Sequence, residues 1–205
     1  MKRILSLVAV LAASLILAAE ANAQFGMVFG LTSSSVKMAK SDAISLYHAG
    51  FTAKIPLGSG FALQPSLLYQ VKGANVGQLG TASDEDFKVK TGFVEFPLGL
   101  QWGPQLAAFR PFVFGEPFIG YRVSSTDKGN ETFRDWADQA KSKFEYGFGL
   151  GAGLDIADHI QLSVQWFNNL GTMFSGSSAA STESTESLER VKNFEGIKFS
   201  LAILF

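Results

Sequence analysis

The chain has 205 residues, a formal net charge of −1, 21 glycines, 19 phenylalanines and no cysteine. This length favours one domain, and the near-neutral charge argues against a nucleic-acid partner because no basic surplus exists to bind phosphates. Without cysteine the chain has no disulfides and no lipoprotein anchor.

The first 23 residues have the pattern of a secretory signal peptide. Lys2 and Arg3 precede an apolar run over 4–19, and Ala21 and Ala23 supply the small residues that signal peptidase recognises. This run is too short for a spanning helix, and no later segment approaches 18 consecutive apolar residues. We therefore expect an exported chain that begins at Gln24 and is either soluble or a membrane β-barrel.

Eight later segments alternate large apolar residues with small or polar ones, as strands with one apolar face do. The predicted strands cover 24–32, 47–57, 61–73, 87–102, 110–125, 144–156, 160–170 and 193–205. Long polar connections are predicted at 33–45, 74–86, 126–142 and 171–192, and short turns at 58–60, 103–109 and 157–159. Long and short connections therefore alternate along the chain.

The fifth predicted strand fits two phases of alternation. Phe112 and Phe114 favour one phase, whereas Ile119 favours the other. The second phase turns Glu116 and Arg122 towards the inside, while the first would place the arginine in lipid at about 2–4 kcal/mol. We therefore predict that Ile119 points outward and that both phenylalanines point inward.

The two faces of the strands decide between two kinds of barrel. A soluble lipocalin-like barrel holds its apolar side chains inside, whereas an outer-membrane barrel turns them to lipid and has an even strand count. Here the bulky face carries Phe, Tyr, Trp, Leu and Ile, and the opposite face carries Gly, Gln, Ser and charges. The sequence predicts an all-β, eight-stranded antiparallel up-and-down transmembrane β-barrel over 24–205, with the long loops outward and both termini periplasmic.

Glycine repeats on one face of the sixth predicted strand, at Gly147, Gly149, Gly151 and Gly153. Glycine in a strand often marks close approach of another group. We interpret the row as a narrow lumen with large side chains opposite. The spacing is not that of a dinucleotide-binding loop, and it opens no helix.

Six charged side chains are predicted to form a network in the lumen: Lys54, Glu95, Glu116, Arg122, Glu145 and Lys198. Pairing across the fourth hairpin connection places Glu95 opposite Glu116, and two like carboxylates there need a cation or a proton. The same reasoning sets Arg122 against Glu145. The network is interpreted either as a static plug of side chains or as a gated polar path, and eight-stranded barrels are generally just wide enough for side chains to fill.

Candidate catalytic residues are few. Some outer-membrane barrels are lipid hydrolases or acyltransferases that use His with Ser and an acid, and His48 could have Ser45 or Ser66 nearby. The alternative is an exposed histidine near the outer rim. His159 is predicted in a short turn at the opposite end, so the two histidines cannot share a metal ion. We expect no catalytic site, no cofactor and no metal site.

Several short sequence motifs stand out in the predicted strands. They are FALQPSLLY at 61–69 with Lys72-Gly73, VEFPL at 94–98, RPFVFG at 110–115 with Gly120-Tyr121, FGLGAG at 148–153, and the terminal Phe205. Together they resemble the PorT-like outer-membrane β-barrel family of Gram-negative bacteria, and the resemblance covers nearly all of the chain after the signal segment. These are scaffold motifs, so they imply a fold rather than an activity.

The resemblance implies an integral outer-membrane protein that is non-enzymatic, structural or partner-binding, and associated with secretion as its best-known relatives are. A small channel and a lipid-modifying enzyme are the alternatives. The implied partners are outer-membrane lipid, the barrel-assembly machinery, which would recognise the strand ending at Phe205, and other envelope or secretion proteins.

Overall fold

The computed structural model describes residues 23–36, 41–76, 87–127, 144–170 and 194–205. They form β1 (Gln24–Val36), β2 (Ser41–Gly58), β3 (Phe61–Val76), β4 (Phe87–Trp102), β5 (Phe109–Asp127), β6 (Phe144–Ile156), β7 (Ile160–Asn169) and β8 (Phe194–Leu204). Each strand pairs antiparallel with its neighbours in sequence, and β8 returns to β1 to close the barrel. The predicted fold is confirmed. Within these ranges, no helix is long and apolar enough to cross a membrane.

The first and last strands are joined along their length. Gly26 pairs with Leu204, and the register continues to Val36 opposite Phe194. Beyond the last pair, Phe25 N donates to Phe205 O at 3.0 Å and Phe205 N donates to Phe25 O at 2.8 Å. The sheet therefore has no free edge at which another chain could pair.

The outer face is apolar and the inner face is mainly polar, as the alternation predicted. Along β1, Phe25, Met27, Phe29 and Leu31 are exposed. The phase of β5 is confirmed as well, because Ile119 is exposed whereas Phe112 and Phe114 are buried. Bulky apolar side chains therefore cover the outer wall, where a membrane supplies the apolar solvent.

Aromatic residues mark both ends of this apolar band. A lower aromatic belt near the short turns consists of the exposed Phe25, Phe61, Trp102, Phe109 and Phe205, and an upper aromatic belt towards the long loops of the exposed Tyr47, Tyr69, Tyr121, Phe144 and Tyr146. Phe29, Phe51, Trp166 and Phe199 are exposed as well. Along β3, nine residues lead from Phe61 in the lower belt to Tyr69 in the upper belt. Transmembrane strands need about 9–11 residues, so the two aromatic belts have the spacing of the two membrane interfaces.

One predicted loop is largely strand. The connection expected at 33–45 is wrong, because β1 runs to Val36 and β2 already begins at Ser41, with Ser34 opposite Ile44. Serine-rich sequence suggested a loop. Beyond the membrane band both faces of a strand can be polar, and the backbone ladder alone then satisfies the peptide groups. Strand β3 extends to Val76 in the same way.

Candidate functional site

Polar side chains fill the lumen in three layers, named here from the short-turn end to the long-loop end. The lower tier consists of Lys54, Arg110, Asp155, Gln64, Gln101 and Gln161; the middle tier of Glu116, Gln165 and Lys198; and the upper tier of Lys72, Glu95, Glu145 and Asn169. All but Glu116 are buried, and Glu116 is half-buried.

The lower tier is organised around one carboxylate. Asp155 Oδ2 lies 2.6 Å from Lys54 Nζ and 2.9 Å from Arg110 Nη1, and its Oδ1 accepts a 2.8 Å bond from Gln161 Nε2. Arg110 Nη2 also donates to Gly60 O at 2.8 Å. Because these residues come from different strands, one acid ties the walls of the barrel together across its lower end.

Amide side chains complete the lower tier. Gln64 Nε2 donates to Gln161 Oε1 at 2.9 Å and to Thr52 Oγ1 at 3.0 Å. Gln101 Nε2 donates to Gln64 Oε1, while Arg110 Nη1 donates to Gln101 Oε1 at 3.1 Å. Burying an amide without hydrogen-bond partners costs free energy, so this chain of hydrogen bonds stabilises the lower tier and connects the strands across the lumen.

One carboxylate oxygen joins the middle tier. Glu116 Oε1 accepts a 2.8 Å bond from Gln165 Nε2 and a 3.2 Å bond from Lys198 Nζ. Gln165 and Lys198 are directly opposite each other on β7 and β8. Glu116 therefore connects the β5 wall to the facing wall of the barrel.

The upper tier places one lysine between two glutamates. Lys72 Nζ lies 2.6 Å from Glu95 Oε1, as an ion pair without hydrogen-bond alignment, and 2.9 Å from Glu145 Oε1. It also donates to Asn169 Oδ1 at 3.2 Å, and Asn169 Nδ2 donates to Glu145 Oε2. Lys72 is completely buried. Its ammonium group supplies the cation that two neighbouring carboxylates need.

Three phenylalanine rings enclose this ammonium group. Lys72 Nζ lies 5.3 Å from the ring centroid of Phe93, 4.6 Å from that of Phe118 and 5.1 Å from that of Phe167. Cations over aromatic faces gain energy, and more so where water is excluded. The rings also fill the space around the ion pairs.

The glycines of β6 are slots for side chains opposite, as the sequence predicted. Gly147, Gly151 and Gly153 face Phe118, Phe114 and Phe112 on β5. A Cβ on these glycines would lie 2.3, 2.5 and 2.3 Å from the nearest atoms of those rings. The tips of the phenylalanine rings therefore occupy the space that side chains on these glycines would need.

His48 is buried in the lumen. Its Nδ1 is 2.9 Å from Thr32 Oγ1 and its Nε2 is 3.0 Å from Ser200 Oγ. The expectation of an exposed histidine near the rim is wrong. His48 has inward parity, which means that it belongs to the alternate residues of its strand that face the lumen, and Gly30 opposite it leaves room for the ring. A Cβ on Gly30 would lie 2.7 Å from His48 Cε1.

Neither serine suggested as a catalytic partner contacts His48. Ser45 points to the outer surface, and Ser66 Oγ bonds instead to Thr52 Oγ1 at 2.8 Å. His159 lies in the turn between β6 and β7. In the part of the chain that the structure describes, no group of three or more His, Asp or Glu residues could hold a metal ion.

The predicted pairing of Glu95 with Glu116 is wrong. Glu95 lies opposite Gly120, four residues from the expected position. The hairpin turns later than expected, between Leu106 and Phe109, which exchange backbone hydrogen bonds of 2.7 and 2.8 Å. A displaced turn shifts every cross-strand pair of a hairpin together.

The predicted pairing of Arg122 with Glu145 is also wrong. Glu145 lies opposite Gly120 on β5, and its side chain is paired with Lys72. Arg122 is buried and lies two residues further along β5. Parity placed both side chains correctly inside the barrel, but register determines which of them meet.

Sequence reasoning missed Lys72, Arg110 and Asp155 as members of the network. Lys72 and Asp155 have inward parity in their predicted strands, so the alternation contained their signal. Arg110 is even-numbered like Phe112 and Glu116, so the phase predicted for its strand also points it inward. These three residues hold the centres of the lower and upper tiers.

The tiers leave little free space inside the barrel. An interior cavity of about 40 Å³ lies beside the middle tier. A vestibule of about 810 Å³ opens at the short-turn end, where Lys54 and Arg110 line it together with Trp102 and Phe205. Since Lys54 and Arg110 belong to the lower tier, the vestibule ends where the ion pairs begin.

A family model described as outer membrane protein beta-barrel domain matches residues 18–175. The chain belongs to this family. The match spans β1 to β7, and membership places the chain in the outer membrane. No curated protein matches the chain in sequence.

Two solved structures similar to this outer-membrane barrel are both of Ail, the attachment invasion locus protein of Yersinia pestis. One is Ail alone, at a TM-score of 0.41 and 7% identity over 89% of this chain and 98% of that chain. The other is Ail in complex with the heparin analogue sucrose octasulfate, at a TM-score of 0.40 and 7% identity over 89% and 99%.

Proposed function

We propose that this outer-membrane barrel is a non-enzymatic protein with a closed lumen, which anchors outward loops that bind other envelope proteins. The observation that carries the proposal is the filling of the lumen by three tiers of paired polar side chains. A barrel that contributes a closed wall acts through what it displays outside the membrane, and loops on a rigid scaffold commonly carry binding residues.

The closed lumen argues against the small-channel alternative. Ions need a continuous wet path, whereas Lys72 is completely buried between two carboxylates and three rings. The lower tier forms a second barrier around Asp155. Opening a path requires breaking paired buried charges at two levels, and breaking one such pair costs about 3–5 kcal/mol.

The position of His48 argues against the enzyme alternative. Its ring nitrogens are occupied by Thr32 and Ser200 hydroxyls, so no carboxylate orients the imidazole as in a Ser-His-acid site. His48 and its two hydroxyl partners also face the lumen, on the opposite side of the barrel wall from the lipid that such an enzyme would modify. A structural hydrogen-bond role accounts for both contacts.

A secretion-associated role, as in the PorT-like proteins, is the second candidate. It is favoured by the sequence phrases VEFPL at 94–98 and RPFVFG at 110–115, which lie in β4 and β5. Both phrases belong to the barrel wall. They therefore support a related barrel fold, and the secretion role itself is tested by an experiment on cells.

Planar-bilayer recording tests the closed lumen. Purified wild-type protein should leave the membrane at baseline conductance, while a variant that removes the centres of two tiers, Lys72→Ala with Asp155→Ala, should conduct if it folds. A heat-denatured wild-type sample controls for leaks from detergent. Steady ion-selective currents from the wild type would reject the proposal in favour of a small channel.

The partner-binding part needs a separate experiment. Residues 171–192 are replaced by a short Gly-Ser linker, and envelope proteins are cross-linked and co-purified with each form of the barrel. We expect the variant to reach the membrane folded but to lose specific partners. If every partner is retained after each long loop has been replaced in turn, the proposal is wrong, and impaired export of secreted proteins in a deletion strain would favour the second candidate.

A further inference from the structure

A small cavity lies inside the barrel next to the middle tier. Its volume is about 40 Å³, and its lining residues all point inward. Polar lining comes from Gln64, Glu116, Ser163 and Ser200, among others. An empty cavity inside a protein is normally apolar, whereas a polar cavity of sufficient size holds water.

Gly99 gives this cavity its room. A Cβ on Gly99 would lie 3.4 Å from Gln64 O and 3.6 Å from Glu116 Oε2, which is ordinary van der Waals contact. The inward glycines of β6 differ, because a Cβ on Gly151 would meet the Phe114 ring at 2.5 Å. The slot at Gly151 is occupied by a side chain, whereas the slot at Gly99 is open.

Hydrogen-bonding groups around the cavity have capacity left over. Both bonds to Glu116 go to its Oε1, and Oε2 is the oxygen on the Gly99 side. Ser200 Oγ is bonded to His48 Nε2, and a hydroxyl can make further bonds. Ser163 lies directly opposite Ser200 across β7 and β8 and is half-buried.

We propose that this cavity is a binding site for a cluster of ordered water molecules, held by Glu116 Oε2 and by the hydroxyls of Ser163 and Ser200. The volume of about 40 Å³ accommodates roughly three water molecules, at about 10–15 Å³ for each. Water satisfies the free carboxylate lone pairs and the hydroxyls together, because it both donates and accepts. The lumen then contains a wet chamber closed off by the lower and upper tiers.

Water fits the site better than a metal ion. Lys198 Nζ lies 3.2 Å from Glu116 Oε1, so the carboxylate already has a cation partner. A second cation beside the ammonium group would be repelled. An apolar occupant would leave Glu116 Oε2 without a partner.

A crystal structure of the wild-type protein that resolves ordered water tests the proposal directly. Two or three water peaks should lie within hydrogen-bond distance of Glu116 Oε2, Ser163 Oγ or Ser200 Oγ. An empty cavity, a Glu116 side chain that fills it, or a peak with anomalous signal after exchange into rubidium would each overturn the proposal.

Two matched glycine variants test the space without a crystal. Gly99→Ala should fold to within about twofold of the wild-type fraction, since its new Cβ meets no atom closer than 3.4 Å and the neighbouring atoms need not move. Gly151→Ala, which drives a methyl group into the Phe114 ring, should lower the folded fraction tenfold or more, as seen by gel mobility of unheated samples. Equal losses for both variants would show that Gly99 has no open slot, and the proposal would fall.

Discussion

Lys72 is the residue on which the upper part of the lumen depends. It is completely buried, contacts Glu95 and Glu145 within 3 Å, and comes from a third strand. A buried charge is tolerated only when it is paired and hydrogen-bonded. Three strands are therefore held in one arrangement by a single ammonium group.

Removing that ammonium group should destabilise the barrel. Lys72→Met keeps the length of the side chain but leaves two buried carboxylates facing each other, and we expect a loss of about 3–5 kcal/mol in the free energy of unfolding. Urea titration in lipid vesicles measures it. The same substitution at exposed Lys90 should change stability by less than about 0.5 kcal/mol. Similar values at both positions would show that the ion pairs contribute nothing.

A second substitution distinguishes lost pairing from lost packing. Adding Glu145→Gln to Lys72→Met removes one of the two stranded charges and should recover part of the stability. If packing of the methylene stem against Phe118 were the whole effect, the second substitution would change nothing, because the stem is the same in both variants.

At this scale the sequence predicted which way side chains point, but not which ones meet. Parity alone placed Glu95, Glu145 and Lys198 inside, since alternation is a property of each strand by itself. The partner of Glu95 depends on register, and register depended on a turn between Leu106 and Phe109 that contains neither Gly nor Asn. Ala107 adopts a φ of 48° there, which sequence rules assign to other residues.

Strands β5 and β6 are fitted to each other by large side chains opposite glycines. Three inward phenylalanines on β5 face three glycines on β6. Strand glycine normally weakens a strand, but here a ring covers each glycine and restores the buried contact area. The glycine row could be predicted from sequence because its period matched that of the strand, and bulky residues had to lie opposite for a narrow lumen to fill.

Enlarging one of these glycines should destabilise the barrel. Gly147→Ala places a methyl group 2.3 Å from the Phe118 ring, which must move, and overpacking of this kind costs about 1–3 kcal/mol. Gly115→Ala is the matched control, because the nearest atoms there lie 3.8 Å from the new Cβ. Thermal unfolding of both variants in the same detergent makes the comparison. A control that loses as much stability as Gly147→Ala would contradict the slot interpretation.

The β1–β8 closure should depend on Phe205. This residue exchanges two backbone hydrogen bonds with Phe25 and carries an exposed ring at the short-turn end of the apolar band. Deleting Phe205 should lower the amount of folded protein in the outer membrane, measured by gel mobility of unheated membrane samples. Phe205→Tyr, which keeps an aromatic ring, should fold normally, whereas unchanged folding after the deletion would contradict this prediction.

For the whole molecule, the lower and upper aromatic belts determine how the barrel crosses the membrane. The segment from Phe61 to Tyr69 comprises nine residues, yet β2 and β5 have 18 and 19 residues. The additional strand residues lie beyond the upper aromatic belt, where Ser45 and Lys90 are exposed and the outer wall is polar. The barrel therefore extends out of the membrane on the side of the long connections and ends close to the membrane at the short turns.

This asymmetry predicts the orientation of the protein in cells. Outer-membrane barrels have short periplasmic turns and longer outer loops, so an epitope inserted at Ser178, in the connection between β7 and β8, should bind antibody on intact cells. The same epitope inserted at Ser59, in the turn between β2 and β3, should react only after permeabilisation of the outer membrane. Loop insertions leave the strand ladder intact, so both proteins should fold. The reverse labelling pattern would mean that the long connections face the periplasm, and a partner-binding role on the cell surface would then be excluded.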